Sequence, residues 1–154
     1  MSVCPITMED SSTERYSPRG LKQLSPTLKV LHDFPYTALE QRKEAYYRGS
    51  KLSIQGMQPK LSVRLSITRG CFELVDQNGH YIIKPQHEIY EQLPENEALS
   101  MQLARVLGID VPLSGLVRSK DGSWSYFIRR FDRYGKIGKY PQEDFSQLAG
   151  QRRE

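Results

Sequence analysis

Apolar and polar positions alternate strictly from residue 60 to residue 67. Leu61, Val63, Leu65 and Ile67 share one side, and Lys60, Ser62, Arg64 and Ser66 the other. That period of two predicts a half-buried strand. Gly70 marks a turn, and residues 71–76 predict a second strand. Asn78-Gly79 predicts a tight hairpin turn, because both residues tolerate positive φ. A third strand over residues 80–84 ends at Pro85, so the three are expected to form an antiparallel meander. From Glu95 to Leu107 the period lengthens. Leu99, Leu103 and Val106/Leu107 recur at helical spacing, and Gly108 is the terminator. Two more strands are predicted over 113–118 and 124–130, joined by the turn Lys120-Asp121-Gly122.

Upstream of this block the pattern is helical or absent. Residues 1–19 are polar and read as a mobile arm. Leu21, Leu24, Leu28 and Leu31 have helical spacing interrupted by Ser25-Pro26, which predicts a short helix on either side of the break. Thr37 and Glu40 form a capping-box pattern, followed by good helix formers to Tyr47 and a stop at Gly49. Downstream, residues 132–141 predict a Gly-containing loop and 142–149 a last short helix. The fold class is therefore α+β: an antiparallel five-stranded sheet with one packed helix, preceded by N-terminal helices. The divisions are 1–49 for the arm and helices, 50–150 for the sheet domain and 151–154 for a tail.

Composition narrows the classes. With 154 residues, 38% hydrophobic and 26% charged, the chain is a single globular domain rather than a disordered one. It holds no run of about 18 apolar residues, so no membrane span is expected, and its first residues lack a secretory pattern. Two cysteines, Cys4 and Cys71, are too few for a disulfide framework or a self-contained zinc site. The chain reads as cytoplasmic. A net charge of +4 suits contact with phosphate without choosing its carrier. Aromatic and basic residues do not interleave along any one strand, so no direct nucleic-acid binding is expected.

Candidate chemistry centres on Lys84, a lysine closing an apolar strand. A phosphate-binding lobe needs backbone N–H groups facing anionic oxygens, a cation on the α/β-phosphates and an acid to hold that cation. The turn 53–60 around Gly56 could supply the amides, or it could be an ordinary β-turn at a strand start. Lys84 could supply the cation, or be an exposed strand-end lysine. Glu97 could hold Lys84, or serve only the helix dipole from the first turn. One strand-to-helix step puts Lys84 and Glu97 within reach of one another. The backbone through Arg130 and Phe131 lies where an adenine would be held by main-chain hydrogen bonds, with Phe131 either lining that pocket or in the core. Asp132, between Arg130 and Arg133, reads most simply as a local ion-pair cluster. Loop, lysine strand, acidic helix and connecting strand follow in the order of a protein-kinase small lobe.

Six stretches carry a more specific resemblance: Ser-Ile-Gln-Gly-Met-Gln-Pro-Lys-Leu-Ser (53–62), Tyr-Ile-Ile-Lys-Pro (81–85), Leu-Pro-Glu-Asn-Glu (93–97), Leu-Gly-Ile-Asp-Val-Pro (107–112), Arg-Arg-Phe-Asp-Arg (129–133) and Glu-Asp-Phe-Ser-Gln-Leu (143–148). In this order they resemble the HipA-type serine/threonine kinase toxins, and most of all the short HipT form. The resemblance implies a bacterial type II toxin–antitoxin setting, with phosphorylation of an aminoacyl-tRNA synthetase and restraint by an antitoxin of HipB or HipS type. It implies ATP and Mg²⁺ as cofactors. It makes Lys84 the ATP lysine, Glu97 its partner, Gly56 to Ser62 (Lys60 included) the phosphate loop, and Arg130–Phe131 the adenine connection. Ser53 stands where an autophosphorylated serine is expected. Gln55 replaces the second serine of some related loops, which puts two-site phosphorylation in doubt.

Phosphoryl transfer also needs a residue to orient the attacking hydroxyl and side chains to hold Mg²⁺. The 22 residues after Asp132 contain one aspartate, Asp144, and no asparagine. The expectation is a shortened kinase, without a catalytic loop or metal ligands, that does not turn over ATP by itself. The alternative is a non-catalytic module that binds an antitoxin or an intact kinase paralogue.

Overall fold

The structure is a computed structural model and describes residues 2–11, 14–49, 58–142 and 145–150. Its element order is β1 (Ser2–Val3), β2 (Asp10–Ser11), α1 (Pro18–Leu24), α2 (Ala38–Gly49), β3 (Leu61–Ser66), β4 (Cys71–Leu74), β5 (Tyr81–Lys84), α3 (Leu93–Val106), β6 (Ser114–Arg118), β7 (Trp124–Arg129), β8 (Arg133–Tyr134), β9 (Gly138–Lys139) and α4 (Phe145–Leu148). The five long strands form one antiparallel sheet in the order β4-β3-β5-β7-β6. The α+β class with its five-stranded sheet and packed helix stands as expected.

The connectivity within the sheet differs from a meander. β3 is flanked by β4 and by β5, and β4 does not pair with β5. The Asn78-Gly79 step therefore carries the chain past β3 instead of turning a hairpin. Asn78 takes the positive φ of 56°. Gly79 is needed for space: a Cβ there would lie 2.0 Å from Ser62 Oγ and 3.1 Å from the Val63 amide nitrogen.

Side-chain alternation gives the sheet two covered faces. On one, Leu61, Val63, Phe72, Tyr81, Ile83, Val117 and Phe127 join a core with Cys4, Ile6, Tyr16, Leu21, Leu24, Leu28, Leu31, Phe34 and Ala45. On the other, Leu116 and Tyr126 pack against Ala98 of α3, with Met8, Met101, Trp124 and Ile128 around them.

The first residues are thus no mobile arm. Cys4 and Ile6 are fully buried. Leu116 donates its amide to the Pro5 carbonyl at 3.0 Å, and Gln102 donates to the Ile6 carbonyl at 2.8 Å. The polar composition conceals a few apolar anchors that lie along the β6 edge. Beyond Ser25-Pro26 there is one further correction: no second helix forms. The segment runs on without regular structure to bury Leu28, Leu31 and Phe34, held by His32 and Phe34 amides on the Gly70 and Arg118 carbonyls, each at 2.7 Å. Tertiary burial outweighs the helical spacing of the leucines.

The capping box forms as the pattern predicts. The Glu40 carboxylate accepts the Thr37 amide at 2.7 Å, and Thr37 Oγ1 accepts the Glu40 amide at 3.1 Å. One turn along α2, Gln41 is fully buried. Its Nε2 donates to the Tyr36 carbonyl (3.1 Å) and Ser119 Oγ (2.8 Å), while its Oε1 accepts from Ser125 Oγ (3.0 Å). This satisfied cluster ties α2 to β6 and β7. Gln41→Ala is expected to destabilise the fold by about 2–3 kcal/mol, because it strands buried polar groups. A denaturant titration checks this, and a loss well under 1 kcal/mol would show that the cluster does not anchor α2.

Candidate functional site

β5 and α3 build the site. Tyr81 and Ile83 point into the larger core, so Ile82 and Lys84 point to the opposite face, where α3 lies. Lys84 is registered against Tyr126 of β7, and Pro85 ends the strand there. α3 begins at Leu93, two residues earlier than the apolar repeat predicts. Pro94 near its start has the φ a helix needs, while Gln92 caps in the left-handed region without a side-chain bond. Glu97 accordingly sits in the second turn, and Glu95 takes the dipole position in the first.

The helix turns an unexpected side inward. Pro94 and Ala98 are buried, whereas Leu99, Leu103 and Val106 are exposed, Leu99 by 53%. The apolar repeat that reveals the helix is not its packed face. With Ala98 against the sheet, Glu97 is directed along it. Lys84 Nζ and Glu97 Oε2 stand 2.6 Å apart, with side chains 24% and 23% exposed. The ammonium is also 5.6 Å from the centre of the Tyr126 ring. The Tyr126 hydroxyl is pushed up to about 12, chiefly by burial and further by the Glu97 charge, against a lowering hydrogen bond with Ser114. It remains a neutral phenol beside the ion pair.

Neither Tyr126 nor Ser114 is marked in the sequence. Both sit inside apolar strand runs, and only the β5–β7 and β6–β7 registers bring them to this corner. Lys60 directly precedes β3, and the β3–β5 register, Leu61 against Ile83, sets it beside Lys84. With Arg42, Lys43, His87 and Tyr46 it lines a groove of about 520 Å³ between α2 and residues 87–89, and Lys84 is not on that lining. Gly56 and Ser53 lie outside the described residues.

At the end of β7 the main chain and side chains divide. Arg130 is buried and bonds Asp132 through two hydrogen bonds, 2.9 and 2.6 Å long, with Arg133 at 3.9 Å. Arg130 beside it holds the Asp132 carboxyl below the usual range, against the opposing effect of burial, and Arg133 adds to the lowering. This is the ion-pair cluster that the residue order suggests, but buried. The Arg130 amide donates to the His80 carbonyl at 2.8 Å. Phe131 is 68% exposed and so is not core. Among the described residues, no backbone hydrogen bond engages its amide or carbonyl. The following segment, expected as a plain loop, folds into the small β8–β9 hairpin, with the Tyr134 and Tyr140 rings 4.5 Å apart.

A five-stranded antiparallel sheet, one helix on its face and a lysine–glutamate pair bridging them define a kinase-like small lobe. Residues 52–154 match the family model of the HipA-like C-terminal domain. The chain belongs to that family. It is 33% identical over 141 residues to a Haemophilus influenzae protein named "Putative kinase", covering 86% of this chain and 40% of that protein. Two Sinorhizobium fredii proteins, "Putative kinase Y4mE" and "Putative kinase Y4dM", are 34% and 32% identical over 107 and 122 residues. Those matches cover 66% and 70% of this chain but 25% and 29% of the relatives. The chain thus spans between a quarter and two fifths of the curated relatives it matches.

Proposed function

We propose that this chain is the nucleotide-binding part of a HipA-type serine/threonine kinase. The observation that carries the reading is the 2.6 Å Lys84–Glu97 pair at the strand–helix junction. An ammonium has three donors, and one is taken by Glu97, so two remain for phosphate oxygens. Glu97 fixes where those donors point. At the other end of the sheet, the Phe131 main chain supplies the group an adenine edge would meet, and the exposed Phe131 ring supplies an apolar face. The Gly56 turn, with Lys60 at its end, is proposed as the cover over the phosphates.

ATP contributes a transferable γ-phosphoryl group. Lys84 holds and orients the α/β-phosphates, and Glu97 keeps Lys84 extended. Among the described residues no group of three His, Cys, Asp or Glu stands where it could hold a metal ion, so no step is assigned to Mg²⁺ here. In the whole family protein the proposed reaction is phosphorylation of an aminoacyl-tRNA synthetase within a cytoplasmic toxin–antitoxin system. Its proposed restraint is an antitoxin of HipB or HipS type, and Ser53 is the proposed autophosphorylated residue. No helix among the described residues is long and apolar enough to cross a membrane.

Acylation of lysines, mapped by peptide mass spectrometry, tests the nucleotide reading. ATP at millimolar concentration is expected to slow modification of Lys84 several-fold while leaving Lys22 and Lys29 unchanged. Equal rates at Lys84 with and without ATP would reject it. A second reading, a module that binds an antitoxin or an intact kinase paralogue, draws on the exposed α3 stripe of Leu99, Leu103, Val106 and Leu107. Co-purification with a HipB- or HipS-type protein that is lost on Leu103→Glu supports that reading, and no complex at micromolar concentration removes it.

A further inference from the structure

The end of the sheet away from Lys84 carries a second concave site. A groove of about 430 Å³ opens between the end of α1, strand β3, the start of β5 and the β8–β9 hairpin. Arg64, Arg129, Arg130, Arg133 and His80 line it, and no aspartate or glutamate does. Leu24, Leu65 and Tyr81 complete the wall. The volume lies within the range of small-ligand pockets.

The arginines are partly engaged. Arg64 holds Glu73 at 3.0 Å, and Arg130 holds Asp132. Arg129 donates to the Tyr81 hydroxyl at 2.8 Å and to the Leu24 carbonyl at 3.3 Å. A guanidinium has five N–H donors, so each retains some. Arg133 stands apart. Its Nε is buried and has no hydrogen-bond acceptor among the described residues. The nearest carboxylate, Asp132, is 3.9 Å away and already committed to Arg130. A buried donor without an acceptor is unfavourable, and a turn of the Arg133 side chain toward an incoming anion would relieve it. Arg64 and Arg130 are paired with Glu73 and Asp132, whereas among the described residues Arg129 and Arg133 hold no carboxylate of their own, which leaves two positive charges in excess.

We infer that this groove is a second anion site and takes a phosphomonoester. Two excess charges match a group that carries close to two negative charges at neutral pH, and its three oxygens suit forked arginine donors better than one carboxylate would. Tyr134 at the rim offers a half-exposed ring to the body of the ligand. The phosphate can come from a phosphorylated side chain or from a small sugar phosphate. Both present the same dianion, and the groove reads that dianion. The groove lies at the end of the sheet opposite Lys84, where Tyr81 pairs with Arg129, and it adjoins the Arg130–Phe131 connection, so Lys84→Met is the variant that separates it from the phosphate end of the nucleotide reading.

Titration of the 154-residue chain with inorganic phosphate, phosphoserine and ribose 5-phosphate, followed by ³¹P NMR at low ionic strength, tests the assignment. Saturable binding is expected for all three, weakening as sodium chloride is raised. The tighter of the two organic ligands identifies the source. Arg133→Gln is expected to weaken binding about tenfold, Arg133→Lys less, and Arg64→Gln several-fold. The saturable binding that persists in Lys84→Met belongs to the groove. Arg64 is exposed, so its variant keeps the test open if Arg133→Gln does not fold. The assignment is overturned by no saturable binding, by binding indifferent to Arg133→Gln or Arg64→Gln, or by binding that disappears with Lys84→Met.

Discussion

Lys84→Met is expected to weaken ATP binding to this chain at least tenfold while leaving the fold intact. The side chain loses its charge but keeps its length and apolar stem, so Tyr126 and the sheet face keep their packing. Two charge-assisted hydrogen bonds to phosphate oxygens disappear, and each is worth about 1.5–3 kcal/mol. Glu97 is left without its partner, yet it is partly exposed and can be hydrated, so the stability change is expected within about 1 kcal/mol. Glu97→Gln keeps the ammonium and removes only what aims it, so its effect on affinity is smaller. Calorimetric titration with ATP, alongside thermal unfolding of each variant, separates affinity from stability. A Lys84→Met protein that binds ATP as the parent does would end the nucleotide reading, whatever its family.

Phe127→Ala carries the largest expected stability loss, about 3–5 kcal/mol and roughly 10–15 °C in Tm. Phe127 is fully buried at the centre of the sheet. Its ring lies 5.2 Å from Phe72 and 6.3 Å from Tyr81. It also stands under Gly115, where a Cβ would come within 3.0 Å of its ring tip. Strands from both sides of β7 therefore close on this side chain, and the cavity has no neighbour free to collapse into it. Phe131, four residues on, supplies the contrast. Phe131→Ala is expected within about 0.5 kcal/mol of the parent, because the ring is mostly in water. Paired denaturant titrations read both, and a costly Phe131→Ala would contradict the exposure on which its proposed adenine role depends.

Local chemistry is legible in the residues themselves. The alternation at 61–67 needs only its own side chains to specify a strand. The Thr37–Glu40 box needs only four consecutive residues, and Asn78 needs only its tolerance of positive φ. The Lys84–Glu97 pairing was suggested by thirteen residues of separation across one strand-to-helix step, a short connection with few ways to fold. Each of these interactions is nearly complete within a short segment.

What depended on distant parts of the chain was not legible. The leucines at 99, 103 and 106 announce a helix correctly, but which side is buried was set by Pro94 and Ala98, whose small size lets α3 approach β6 and β7. The leucines at 28 and 31 have helical spacing and yet lie in irregular backbone, because joining the core that holds Phe72 and Tyr81 rewards their burial more than a short helix would. Cys4 and Ile6 look like part of a polar arm until the β6 edge is there to receive them. Sequence alone determined the five strands of the sheet, the helices α2 and α3, the lysine–acid pair and the family motifs, since those rest on neighbours along the chain. Only the tertiary structure decided strand order, the exposed stripe on α3, the Tyr126 wall and the arginine groove. Those depend on surfaces that exist only once segments a hundred residues apart have packed together.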